Sequence, residues 1–155
     1  MIRRAELEDI PRIEALLGQV LLVHHMGRPD IFKEKGQKYT REELKDLILD
    51  RENPIFVYTD DTGLVVGHCF CQSIEKPESS NSFARKTLFI DDLCIDESMR
   101  GKHVGKEMYD YVKCFAIENK YNNIALHAWE CNPKAVGFYE HLGMQIQQYT
   151  MEEIL

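Results

Sequence analysis

Long apolar runs are missing from this sequence. None outlasts Val20–Val23, far short of the roughly 20 residues a membrane-spanning helix needs. The opening MIRRAELEDI has no apolar signal-peptide core, so neither a membrane partner nor export is expected. Dense basic blocks are missing as well. The longest mixed basic stretch, Lys33–Arg41, is interrupted by Glu34, and 26 acidic against 19 basic residues leave a formal charge of −7. A duplex-binding protein would carry a basic face, so nucleic acid is not an expected partner. The acidic balance favours a cationic small molecule or a basic peptide tail, beside the plainer reading of a solvated acidic surface. C-x-x-C pairs are absent. The five cysteines (Cys69, Cys71, Cys94, Cys114 and Cys131) are odd in number, and the histidines complete no zinc spacing. No metal is expected, and a reduced, cytoplasmic compartment fits. Repeats and low-complexity linkers are absent too.

What is present suits one domain over residues 1–155. A hydrophobic fraction of 44% is enough for a sizeable core without disulfides or a structural metal. Ile2–Ala5 reads as a short strand. Ile10, Ile13, Leu16, Leu17, Val20 and Leu21 recur at helical spacing, with Pro11 in the first turn, where its missing N–H costs little. An irregular segment, His24–Asp30, should follow, broken by Gly27 and Pro29. Thr40-Arg41-Glu42-Glu43 reads as a capping box opening a second helix. Ile55–Thr59 and Leu64–Ile74 form a hairpin across Asp60–Gly63, with Cys69 and Cys71 buried on one face. Thr87–Ile95 is a third strand that carries Asp91 and Asp92. A helix from Val104 to Phe115, a strand Ile124–Trp129, a helix opened by Asn132-Pro133 and a last strand Met144–Met151 complete the order βα(α)βββαβαβ, an α/β layered domain with mixed pairing.

Two segments carry chemistry. In the first, strand, then Arg100-Gly101-Lys102-His103-Val104-Gly105-Lys106, then helix, a helix N-terminus gathers unpaired N–H groups. Glycines admit a ligand to the backbone, and three basic side chains add charge, as a pyrophosphate cradle requires. Gly101 and Gly105 stand one residue too close for a Walker loop, and the dinucleotide fingerprint is absent. An ordinary helix-start turn is the competing reading. In the second, Asn132 is a good N-cap and Tyr139 lies two turns along the same face, although Phe138 and Tyr139, taken alone, read first as core aromatics.

Together, R-G-K-H-V-G-K and N-P-K-A-V-G-F-Y-E-H-L-G-M resemble the GNAT N-acetyltransferase superfamily. The two motifs cover about the last two fifths of the chain, and the element order covers nearly all of it. The resemblance implies an α+β fold with a mixed, mainly antiparallel central sheet flanked by helices. A splayed parallel strand pair would mark the acetyl-CoA site. Acetyl-CoA (coenzyme A) would lie against Leu93, Cys94, Ile95, Arg100, Gly101, Lys102, His103, Val104, Gly105, Lys106, Asn132, Lys134 and Phe138. His103 departs from the family's usual Gly, which costs backbone closeness or forces a strained φ.

The resemblance also implies direct attack by an amine on the thioester in a ternary complex. An oxyanion donor is assigned to the backbone near Cys94, and Tyr139 to the acid for the leaving thiolate. Asp91 is ranked first as base, at a position where polyamine-acetylating members resemble it with a Glu; a structural hydrogen bond is the alternative. Strand alternation predicts that Asp92 faces the other way. His24, His25, Arg28, Asp30 and Phe32 fall where substrate-contacting segments lie, with His127 near the cleft. Arg28 could clamp a carboxylate and Asp30 a cation, or the two could simply tie the loop. Many relatives are dimers, which leaves a homodimer open. The expected acceptor is a cationic small-molecule amine. A peptide amine, received in a groove between His24–Arg41 and Gln145–Met151, and a non-catalytic acyl-CoA-binding module are the alternatives.

Overall fold

The computed structural model describes all 155 residues. Its elements are β1 (Ile2–Arg4), α1 (Ile10–Gly27), α2 (Arg41–Leu49), β2 (Ile55–Thr59), β3 (Val65–Lys76), β4 (Arg85–Ile95), α3 (Val104–Glu118), β5 (Asn123–Leu126) and α4 (Pro133–His141). One five-stranded sheet runs in chain order. The first four strands are antiparallel and β5 pairs parallel to β4.

Local chemistry sets the helix starts. Thr40 and Glu43 close the expected box, with Thr40 N–H donating to Glu43 Oε2 at 2.7 Å and Glu43 N–H to Thr40 Oγ1 at 3.2 Å. Asn132 Oδ1 accepts from Ala135 N–H at 3.2 Å, with Pro133 opening α4. Ahead of α1, buried Asp9 takes a bidentate pair from Arg3 at 2.7 and 2.9 Å.

The sheet separates two cores. On one face Ile13, Leu16 and Leu17 of α1 and Leu44 of α2 pack on Ile55, Val57, Phe70 and Cys94. On the other, Met108, Tyr109, Val112 and Ala116 of α3 pack on Phe56, Cys69, Cys71, Leu88 and Ile90. Strand β4 therefore changes sides along its length. Leu88 and Ile90 face α3, whereas Cys94 faces α1. The cause is a bulge: Cys71 pairs with Ile90 and Phe70 with Asp92, which leaves Asp91 as the extra residue.

Three expectations fail here. First, α1 continues through His24 and His25 to Gly27, so these histidines belong to its last turn and not to an irregular loop. His25 Nδ1 meets Phe32 O at 2.8 Å and the His24 ring tilts against Phe32 at 4.9 Å, which extends the helix. Second, β5 stops at Leu126 because its ladder ends at Ile90↔Leu126, where the bulge begins. Third, Met144–Met151 is not a strand. Beyond Met144 N–H, which donates to Tyr139 O, residues 145–155 make no backbone–backbone hydrogen bond. Ile146, Tyr149 and Met151 stand exposed. β-prone residues make a strand only against a partner edge, and this segment meets none. An Arg28–Glu152 ion pair ties its far end.

Candidate active site

Where β5 parts from β4, the edge of β4 from Asp91 to Ile95 lies open. Asp96 N–H donates to Val66 O at 2.8 Å, toward β3, so by alternation Leu93 and Ile95 turn their backbone groups to the open side. Arg100 Nε takes up Ile95 O at 3.1 Å and holds the strand end to the loop that follows. Cys94 itself points into the α1 core. Its Sγ meets Leu16 O at 3.5 Å, and burial pushes its thiol pKa up to about 12.

The loop then makes two left-handed turns, Gly101 at φ 77° and His103 at φ 64°. His103 therefore adopts the conformation that a Gly would take freely, as the N-cap of α3. None of the backbone N–H groups from Gly101 to Lys106 finds an acceptor in the chain. Six such donors around a helix N-terminus are suited to an anion. Among the predicted cationic residues, Arg100 is turned back to the strand and Lys106 pairs with Asp110 at 2.5 Å, one helical turn on. Lys102 has no acidic partner. Val104 is buried. A Cβ on Gly105 would sit 3.3 Å from the Phe138 ring, so this glycine lets α4 close on the loop.

Helix α4 is capped by Asn132 and sets Phe138 against Gly105 with Tyr139 beside it, while Lys134 is exposed. The Tyr139 hydroxyl makes no hydrogen bond within the chain. Burial raises its pKa, and the nearby Cys69 and Asp92 groups raise it further, so it stays protonated.

At the bulge the carboxylates do not diverge as strand alternation predicts. Lys38 Nζ lies 2.8 Å from Asp91 Oδ2 and 3.4 Å from Asp92 Oδ2. Two bulge residues opposite one partner share a side, and that corrects the expectation for Asp92. Tyr39 donates its hydroxyl to Asp91 at 3.0 Å and stacks on Phe70. Fully buried His68 donates from Nε2 to Asp92 Oδ1 at 2.9 Å, and its Nδ1 has no partner. Burial would raise the Asp92 pKa, but His68 and Lys38 outweigh it and hold the carboxyl below the usual range. Beside Asp91, a hollow of about 280 Å³ opens between α2 and the sheet, lined by Tyr39, Leu47, Phe70 and Gln72.

The acceptor-side residues divide. His24, Phe32 and Trp129 form an aromatic chain, with Phe32 edge-on to Trp129 at 5.2 Å. Gly27 abuts Cys131, fastening the end of α1 to the loop before α4. Arg28 is already bound by Asp30 at 2.7 Å and by Glu152, so it is no free carboxylate clamp and Asp30 no free cation site. His127 is exposed, edge-on to Phe89 at 5.0 Å. Lys38, Tyr39, His68 and Trp129 were not among the sequence candidates. Lys38 and Tyr39 come from the segment before α2, His68 from β3 and Trp129 from the loop after β5, and no spacing in the chain signals their contacts.

A family model described as the acetyltransferase (GNAT) family matches residues 22–144. The tetramutant of the BH1408 protein from Bacillus halodurans is 26% identical, covering 100% of this chain and 99% of that one, with a TM-score of 0.96. A glucosamine-6-phosphate N-acetyltransferase from Arabidopsis thaliana is 20% identical over 99% of this chain and 97% of its own, with a TM-score of 0.72. An aminoglycoside acetyltransferase from an uncultured soil metagenomic sample is 18% identical over 100% and 95%, with a TM-score of 0.70. These last two likenesses speak to the fold. No curated protein matches the sequence.

Proposed function

The chain belongs to the GNAT acetyltransferase family, and from that premise we propose that it is an acetyl-CoA-dependent N-acetyltransferase whose acceptor is the primary amine of a cationic small molecule. One observation carries the reading. Six unpaired amides at the start of α3 and the paired carboxylates of the β4 bulge lie at the two ends of one open strand edge.

The residues present fit the acetyl donor. The Gly101–Lys106 amides and Lys102 suit a pyrophosphate, and the open backbone of Leu93 with the N–H of Ile95 suits an extended amide-bearing arm. When bound, the donor supplies an activated acyl thioester. The chain does the rest. Asp91 and Asp92 hold the acceptor ammonium, and Asp91 passes its proton toward solvent, because only the free amine is a nucleophile. An outward amide of β4 donates to the developing oxyanion. Tyr139, kept protonated by burial, gives its proton to the leaving thiolate. The roughly 280 Å³ hollow and the two carboxylates favour a compact cation over a folded peptide. With no strand at Met144–Met151, the groove that a peptide acceptor would need loses one of its expected walls. A protonated Tyr139 in the cleft also favours catalysis over a purely binding module. Thiol release across a panel of polyamines, amino acids, aminoglycosides and short peptides tests the reading. Turnover with a cationic small amine supports it, and turnover confined to peptides replaces it.

A further inference from the structure

The segment between α1 and α2 returns to the cleft carrying a lysine that the reaction above does not use. Lys38 Nζ sits against both bulge carboxylates, 2.8 Å from Asp91 Oδ2 and 3.4 Å from Asp92 Oδ2, and 5.4 Å from the centre of the Tyr39 ring. Its side chain keeps 40% of its exposure, so the amine is held but not sealed. Other lysines are paired on outer surfaces with single acids: Lys45 with Glu42, Lys86 with Glu75 and Lys106 with Asp110. Only Lys38 bridges two carboxylates. Chemically, then, Lys38 is a primary amine lodged where an acceptor ammonium would be held.

We propose that Lys38 is a self-modification site: without a small-molecule acceptor, the protein transfers the acetyl group of acetyl-CoA to its own Lys38 Nζ. The inference rests on the acetyl-donor reading given above. In the step, the deprotonated Nζ attacks the thioester carbonyl carbon. The N–C bond forms and the C–S bond breaks. The amine proton leaves by way of Asp91 to solvent, and the thiolate takes a proton from Tyr139, which is reprotonated from solvent. The products are N-acetyl-Lys38 and the coenzyme A thiol. Modification removes the internal cation from Asp91 and Asp92 and so clears the pair for an external ammonium.

The groups facing Nζ set the pH dependence. They are Asp91 and Asp92 from β4, Tyr39 from its own loop, His24 from α1 and, through Asp92, His68 from β3. Burial works against the charge, but Asp92 and Asp91 outweigh it and raise the lysine pKa. The free amine therefore becomes available only as pH rises. The labelling rate should climb about tenfold per pH unit between about pH 7 and 9.

The test needs only the full chain and acetyl-CoA, with intact-mass and peptide mapping alongside calorimetric acetyl-CoA binding. One acetyl group should appear on Lys38, about tenfold or more faster than on any other lysine, at a rate independent of protein concentration. Tyr139→Phe should slow it, and Lys38→Arg should bind acetyl-CoA yet stay unlabelled. Binding without preferential Lys38 labelling overturns the proposal and leaves the acetyltransferase reading standing. A rate that grows with protein concentration, or that ignores Tyr139→Phe, also overturns it. Absence of acetyl-CoA binding overturns both.

Discussion

Asp91 and Asp92 are adjacent in a β-strand, yet their carboxylates meet on one ammonium, that of Lys38. A regular strand would send them to opposite faces; the bulge against Phe70 and Cys71 brings them together. The same bulge ends the β4–β5 ladder and opens the edge where the donor is proposed to lie. One extra residue thus shapes both halves of the candidate site.

The two carboxylates should respond differently to substitution. Asp92 is buried and bonded to fully buried His68, so Asp92→Asn should cost about 3 kcal/mol by breaking a buried pair. Asp91 is more exposed, so Asp91→Asn should cost less than about 1 kcal/mol but lower kcat/KM, most at low pH. Urea unfolding and a pH–rate profile separate the two effects. Equal destabilisation, or an Asp91→Asn profile parallel to the parent's, removes the division of labour.

Tyr139→Phe should lower turnover roughly a hundredfold while acetyl-CoA affinity holds. Because burial raises the Tyr139 pKa, the acid form persists as pH rises, and no alkaline loss of kcat should trace to this residue below about pH 10. Steady-state kinetics with calorimetry check this. Turnover equal to the parent's excludes Tyr139 as the acid.

Asp96 joins β4 to α1. It accepts from Ser98 N–H and hydroxyl, Arg12 and Gln19, and these bonds hold its carboxyl far below the usual range. A depressed folded pKa adds stability that is present above the unfolded value near about 3.9 and is lost as pH falls toward the folded value. Asp96→Asn should cost about 2 kcal/mol at pH 7 and flatten the acid loss below about pH 4. Unfolding curves from pH 7 down to pH 2 read both effects. An unchanged acid slope places the sensitivity elsewhere.

A Cβ on Gly27 would lie 2.6 Å from Cys131 Sγ. Gly27→Ala should therefore destabilise by about 1 kcal/mol despite its better helix propensity. Cys131→Ala should relieve the clash, so the double variant should be more stable than the sum of the singles. Additive effects would mean that the two segments do not bear on one another.

Much of this was legible in the sequence where signals are local. The Thr40–Glu43 box, Pro11, Asn132-Pro133 and the Gly101–Gly105 turn are each set within a few residues, and the structure keeps them. The left-handed His103 follows from a side chain standing where the turn suits glycine. The Asp91 bulge depends on register with β3, which no single strand encodes. Lys38, His68 and Trp129 meet the cleft only through tertiary packing. Met144–Met151 has the residues of a strand without the edge that would make it one.

The central claim is that the α3 N-terminus and the open β4 edge hold acetyl-CoA for transfer to an amine. Calorimetric titration of acetyl-CoA, coupled to thiol release with a polyamine, tests it most directly. One-site binding is expected, with acceptor-dependent thiol release that Tyr139→Phe lowers roughly a hundredfold without loss of binding. Absence of binding, or release indifferent to both acceptor and Tyr139, would contradict it.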